Sequence, residues 1–192
     1  MEFPAIPGQF IGLDMEGRRG NMFTIYIGDR HLTISPVGKD EVGAVLKVYQ
    51  QCEDFLALGP VPTASLDMVV EDIERSRGAG GLFSGIHTAD GEMIGIVDYV
   101  PGNYNGDHQA AFISLLIIAE SHRNNGVGRA VVEAIEQEIT EETPVSMIRT
   151  GVQVNNTRAV RFWRTQGYRI VRGPEGLPDG TTVYELQKNI CR

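Results

Sequence analysis

Cysteine and tryptophan are nearly missing from this 192-residue chain, which holds only Cys52, Cys191 and Trp163. Two cysteines so far apart suggest neither a disulfide framework nor a thiolate metal site, and a reducing, cytoplasmic setting fits. Long apolar runs are missing too. The longest, Ala110 to Ala119, is about half of the roughly 20 residues that span a bilayer, so no membrane partner is expected. The start carries Glu2, Pro4 and Pro7 and no basic stretch leading into an apolar run, which is not the pattern of a signal peptide. Positive charge is scarce: 17 Lys and Arg stand against 25 Asp and Glu, for a net charge of −8. Nucleic-acid binders show basic patches, so that partner class is not expected. The acidic balance suits a cationic amine, and suits plain solubility equally.

What is present reads as one domain of ordinary composition, 42% hydrophobic and 22% charged, behind an irregular arm over residues 1–22. Phe23 to Ile27 and Leu32 to Pro36 flank Gly28-Asp29-Arg30-His31 and predict a hairpin. Lys39 to Leu58 has helical spacing, and Gly59-Pro60-Val61-Pro62 ends it. Ser65 opens a second helix through Arg77. Strands are expected over Leu82 to His87, Met93 to Val100, Ala111 to Ile118 and Val145 to Val154, then over Tyr168 to Val171 and Thr182 to Leu186. Helices are expected over Gly126 to Glu138 and Thr157 to Gln166. The order predicts one α/β sandwich with a mixed sheet.

The chemistry concentrates in Ile118-Ala-Glu-Ser-His-Arg-Asn-Asn-Gly-Val-Gly-Arg-Ala130. A buried strand runs into a polar turn, two glycines one residue apart, and an amphipathic helix. Gly126 and Gly128 leave the first N–H groups of that helix uncovered at the positive end of its dipole, where a diphosphate fits. Arg123 and Arg129 add positive charge beside it. No Gly-Lys-Ser/Thr follows, so this is not a P-loop, and Val131 stands where a dinucleotide fingerprint needs its third glycine.

Arg123-Asn-Asn-Gly126-Val-Gly128 resembles the R/Q-x-x-G-x-G/A motif of the GNAT N-acetyltransferases. Asn156, Ala159, Trp163, Gly167 and Tyr168 resemble the family's second signature, N-x-x-A-x-x-x-Y-x-x-x-G-F/Y, at the expected separation. Ile94 to Asp98 looks like the family's third strand. The resemblance covers Leu32 to Leu186, and it assigns 23–192 to a GNAT domain with an added N-terminal strand. It implies a three-layer α/β sandwich with a mixed, mostly antiparallel sheet whose fourth and fifth strands splay into a cleft. It also implies acetyl-CoA as cosubstrate, no metal, and transfer of the acetyl group to a primary amine of a small molecule or amino-group acceptor. Leu116, Ile117 and Ile118 would offer backbone groups to pantetheine. The backbone of Arg123, Asn124, Asn125, Gly126, Val127 and Gly128 would hold the pyrophosphate, with Arg129 beside it. Asn156 would bond the pantetheine arm, cap its own helix, or do both. Arg158, Arg161 and Arg164 would meet the adenosine phosphate or stay solvated.

The match departs at the proton-transfer groups. Trp163 replaces the family's tyrosine; an indole N–H donates but does not ionise, so Trp163 orients the thiol or only packs. Gly151 stands where the ribosomal-protein acetyltransferases of the family carry a glutamate, which argues against a protein N-terminus as acceptor. Phe112 and Ser114, the inward positions of the fourth strand, are not basic. Glu120, Asp98 and His108 are the remaining candidate bases, in that order for the first place, and His122 sits in the phosphate turn. The acceptor pocket is expected among the first two helices, Leu58 to Pro62 and the loop Pro101 to Asp107, with Tyr99 and Tyr104 lining it. The competing expectation is an acyl-CoA-binding module without chemistry. The N-terminal hairpin either folds onto its own chain or pairs with a second copy in a homodimer.

Overall fold

Apolar side chains alternating along short β-branched runs build a nine-stranded sheet, and helical stripes cover both of its faces. The computed structural model describes residues 13–14 (backbone) and 22–190. Its strands are β1 (Leu13–Asp14), β2 (Phe23–Ile27), β3 (Arg30–Pro36), β4 (Leu82–Thr88), β5 (Met93–Val100), β6 (Ala110–Ile118), β7 (Met147–Gln153), β8 (Arg169–Gly176) and β9 (Thr182–Asn189). The helices are α1 (Val42–Gln50), α2 (Glu53–Leu56), α3 (Leu66–Gly78), α4 (Val127–Glu142) and α5 (Thr157–Thr165), with a 3₁₀ turn at Glu120–His122. Strand order is β1-β2-β3-β4-β5-β6-β7-β9-β8. Every pairing is antiparallel except that of β6 with β7.

One face of the sheet packs on α4 and α5, through Ile25, Ile34, Val97, Val131, Ile135 and Ile148. The other packs on α1 and α3, through Val45, Val48, Tyr49, Val69, Phe83 and Ile96. This is the three-layer sandwich that the resemblance implies. Gly95 lets β5 and β6 approach closely: a Cβ there would lie 2.7 Å from Ile117 O. Among the described residues no helix is long and apolar enough to cross a membrane.

Several local expectations need correction. The helix expected over Lys39 to Leu58 breaks at Gln51–Cys52, because Cys52 turns inward, fully buried, with its Sγ donating to Ile118 O at 3.4 Å. The last two strands run longer than their apolar cores, to Gly176 and Asn189. Within the expected arm, Leu13–Asp14 pairs with β2, and the rest of that arm lies outside the described residues, as does Cys191. The hairpin β2–β3 folds onto its own chain, β3 pairing with β4 from Leu32↔Thr88 to Pro36↔Ser84. Its apolar face, Phe23, Ile25 and Ile27, belongs to the α4-side core.

Candidate functional site

The parallel pairing of β6 with β7 lasts four residues, from Ala110↔Met147 to Ile113↔Thr150. Beyond it the strands diverge. At the apex β6 carries a bulge: Asp98 faces Leu115 and Tyr99 faces Ile113, which leaves Ser114 as the extra residue. A bulge shifts the parity of every later side chain. Leu115 and Ile117 therefore reach the core cluster of α1 and α3, while Ala111 and Ile113, before the bulge, belong to that of α4.

Divergence leaves backbone groups of β6 without a strand partner. Ala119 N–H donates to Ile94 O at 2.8 Å. Bonded pairs alternate in an antiparallel ladder, so Ile117 bonds Ile96 while the N–H and C=O of Leu116 and Ile118 point into the gap. Ile118 O is already occupied, by Arg123 Nε at 2.7 Å and by Cys52. Leu116 and the Ile118 N–H are thus the strand-like edge. Ile117, expected to share this role, turns its backbone to β5.

The gap widens into a cleft of about 1060 Å³ that runs to the start of α4. There the chain turns through Asn124 (φ 61°) and Gly126 (φ 80°), a left-handed conformation that glycine adopts without strain. The first intrahelical bond is Ala130 N–H to Gly126 O at 3.0 Å. Val127, Gly128 and Arg129 therefore present N–H groups with no intrahelical acceptor, a cradle suited to an anion. Gly128 faces the Phe162 ring of α5, which a Cβ there would meet at an ordinary 3.5 Å.

The flanking arginines are not the free charges expected. Arg123 binds Asp54 with both terminal nitrogens, at 2.6 and 3.0 Å, and so clasps α2 to the end of β6. That pairing lowers the Asp54 carboxyl below the usual range. Arg129 pairs with Glu133 at 2.8 Å. Asn125 O accepts from Arg30 at 3.4 Å, and Arg158 reaches Asn124 Oδ1 at 3.5 Å. Arg158 and Arg161 line the cleft in exposed positions. Asn156 is the N-cap of α5: its Oδ1 accepts from Ala159 N–H at 2.9 Å, which leaves Nδ2 as its donor toward the cleft.

Trp163 lines the cleft but is largely buried, edge-on to Phe162 and to Tyr168 (centroids 5.3 and 4.9 Å). Burial, with Glu136 nearby, pushes the Tyr168 hydroxyl far up. The candidate bases separate. Glu120 is exposed in the 3₁₀ turn and His108 exposed in its loop, and neither lines the cleft; His122 lies half-buried in the same turn, also off the lining. Tyr99, expected in the acceptor pocket, is buried on the α4 face with its hydroxyl donating to Glu138 at 2.6 Å. Tyr104 does line the cleft, stacked on Phe112 at 4.1 Å. Asp98 is buried at 8% exposure, and its carboxylate accepts from Ser76 Oγ (2.5 Å) and Ser114 Oγ (2.5 Å). Ser114 lines the cleft, so Asp98 meets it through that hydroxyl.

Sequence reasoning passed over Glu185 and Arg172 on β9 and β8. Both line the cleft, and Arg172 donates to Glu185 Oε2 at 2.8 Å. The available signal was a glutamate inside an apolar strand. Among the described residues no group of three or more His, Cys, Asp or Glu side chains could hold a metal ion.

Residues 46–168 match the model of the Acetyltransferase (GNAT) family. No curated protein sequence is significantly similar to the chain. Among solved structures, an acetyltransferase from Thermus thermophilus superposes with a TM-score of 0.71 at 22% identity, over 83% of this chain and 97% of that one. The Vibrio cholerae spermidine N-acetyltransferase, solved with CoA and spermine, gives 0.63 at 18% identity, over 82% and 95%. The Escherichia coli ribosomal-protein-S18-alanine N-acetyltransferase gives 0.60 at 16% identity, over 84% and 95%. With the splayed β6–β7 gap, the uncovered N–H groups of α4 and the matched family model together, the chain belongs to the GNAT acetyltransferase family, the acetyl-CoA-dependent N-acetyltransferases.

Proposed function

We propose that this protein transfers an acetyl group from acetyl-CoA to a primary amine of a small-molecule or amino-group acceptor, directly and without a covalent enzyme intermediate. The observation that carries the reading is the bulge at the apex of the β6–β7 gap, where Ser114 joins the cleft to the buried carboxylate of Asp98. The bound thioester supplies the activated carbonyl. Val127, Gly128 and Arg129 N–H groups hold its pyrophosphate, while Leu116, the Ile118 N–H and Asn156 Nδ2 hold its pantetheine arm. Trp163 walls the thiol end and stays un-ionised.

In the transfer, the amine nitrogen bonds to the thioester carbon and the carbon–sulfur bond breaks, releasing the thiolate. The amine proton moves to Ser114 Oγ while the Ser114 proton moves to Asp98 Oδ2, so no charge is left on the serine. Asp98 suits this role: the hydroxyls of Ser76 and Ser114 donate to its carboxylate, and no arginine or lysine among the described residues pairs with it. Cys52, the one cysteine with a described position, is buried against Ile118 O, and burial pushes its thiol up, which disfavours the nucleophilic thiolate.

Thiol release from acetyl-CoA across a panel of amines tests the reading. Ser114→Ala and Asp98→Asn are expected to lower kcat by roughly 10²-fold or more, the scale of a positioned acid–base group, and to leave coenzyme A binding unchanged. Binding with no turnover on any amine would instead support a non-catalytic acyl-CoA-binding module. Acetylated protein after incubation with acetyl-CoA alone would overturn direct transfer.

A further inference from the structure

Immediately past the apex, Gly151 on β7 is the cross-strand partner of Glu185 on β9. Paired residues share a face, and Arg149, one step back on that face of β7, contacts Glu185 too. Phe112 pairs with Arg149 and belongs to the same face. A Cβ on Gly151 would meet nothing nearer than the Phe112 ring at 3.8 Å. The space above Gly151 is therefore open. Gly151 shares its cleft with Ser114 of β6, the stacked Phe112 and Tyr104 rings, and Glu185 of β9.

Glu185 is held but not saturated. Arg172 takes Oε2 at 2.8 Å, whereas among the described residues Oε1 has a single loose contact, with Arg149 Nε at 3.6 Å. Arg149 makes its closer bonds elsewhere, to Asp107 at 3.0 Å and Gln187 at 3.3 Å. Arg172 also approaches Glu175 at 3.4 Å. The connected chain Asp107–Arg149–Glu185–Arg172–Glu175 thus contains three carboxylates and two guanidiniums, one negative charge in excess. A single cation placed at Glu185 Oε1 balances it, and the aromatic pair beside it suits an apolar or aromatic arm.

Resting on the acetyltransferase reading above, we infer that Glu185 is the acceptor-anchoring residue. It holds the ammonium form of a primary amine with a slender apolar or aromatic arm over Gly151. The ammonium gives one proton to water in the open cleft before attack, and the Ser114 hydroxyl takes the second as the carbon–nitrogen bond forms. A free carboxylate next to the amine, as in an amino-acid zwitterion, meets Glu185 and Glu175 and is disfavoured. Gly151 sets the width of the seat.

The test is steady-state acetylation by the full chain with 2-phenylethylamine, n-butylamine and L-phenylalanine as acceptors, alongside calorimetric coenzyme A binding. The amines are expected to exceed L-phenylalanine in kcat/KM by at least about tenfold, as expected for loss of one charge-assisted contact. Glu185→Gln is expected to raise the amine KM by at least about tenfold, with kcat little changed and coenzyme A affinity intact. Gly151→Val, whose side chain fills the seat, is expected to raise the amine KM as well; it serves as the second variant should Glu185→Gln lose its coenzyme A binding. An active parent enzyme whose amine KM is indifferent to both substitutions overturns the anchoring role, as does a preference for L-phenylalanine. A parent that acetylates other amines of the panel but none of these three overturns the slender apolar seat, whereas one that binds coenzyme A and acetylates no amine of the panel overturns the acetyltransferase reading beneath it.

Discussion

Replacing Asn156 by serine separates two roles that alanine removes together. The Asn156 Oδ1 accepts from Ala159 N–H at 2.9 Å and caps α5, and the Nδ2 is left facing the cleft. Serine is an equally good N-cap but has no amide donor. Alanine has neither. Loss of the cap costs about 1 kcal/mol, which for a chain of this size lowers the melting temperature by roughly 2–4 °C. Loss of one net hydrogen bond to the pantetheine arm costs about 0.5–1.5 kcal/mol, a rise of about two- to thirteenfold in the coenzyme A Kd. Thermal denaturation is therefore expected to leave Asn156→Ser level with the parent and Asn156→Ala below it. Titration calorimetry is expected to show both variants weakened for coenzyme A. A serine variant melting as low as the alanine variant refutes the cap. Unchanged coenzyme A affinity in both variants refutes the contact with pantetheine.

The two glycines of the α4 turn are expected to differ. Gly126→Ala forces a side chain into a left-handed conformation and should cost about 1–2 kcal/mol in urea denaturation, whereas Gly128→Ala meets Phe162 at an ordinary 3.5 Å and should cost nothing measurable. Because Arg123 lowers the Asp54 carboxyl, the stability from this pair is present above about pH 4, the unfolded carboxylate range, and is lost as pH falls through the depressed folded value. The urea midpoints of the parent and Asp54→Asn should therefore differ at neutral pH and converge on acidification; a constant gap would contradict the pairing. Burial raises the Cys52 thiol and seals it against Ile118, so a thiol reagent should modify Cys52 only at the rate of unfolding, measured by mass spectrometry of the labelled peptide.

Local chemistry made the turn at Gly126, the caps at Ser65 and Asn156, and the strand ending at Pro36 legible in the sequence, because each depends on residues within a turn of one another. The break at Cys52 was hidden, since spacing alone cannot register that its Sγ docks on a strand 66 residues away. The same distance problem affected charge. Arg123 looked like a phosphate ligand by position, and its partner Asp54 lies 69 residues upstream. Glu120 stood next to the motif and faces solvent, whereas Asp98 comes to the cleft only because the bulge at Ser114 brings a hydroxyl against its carboxylate. Glu185 gained meaning only from the β7–β9 register, which no local pattern states.

The position of β9 also bears on how the molecule is made. It lies between β7 and β8 although the chain produces it after both. A nascent polypeptide that has completed β8 still lacks the strand that attaches β8 to the sheet. Everything from β2 to the β6–β7 pairing can close beforehand, with mostly neighbouring strands. Non-local pairing is the slow part of assembly. The acceptor wall is therefore the last portion of the sheet to form, and Glu185 arrives on the strand that completes it.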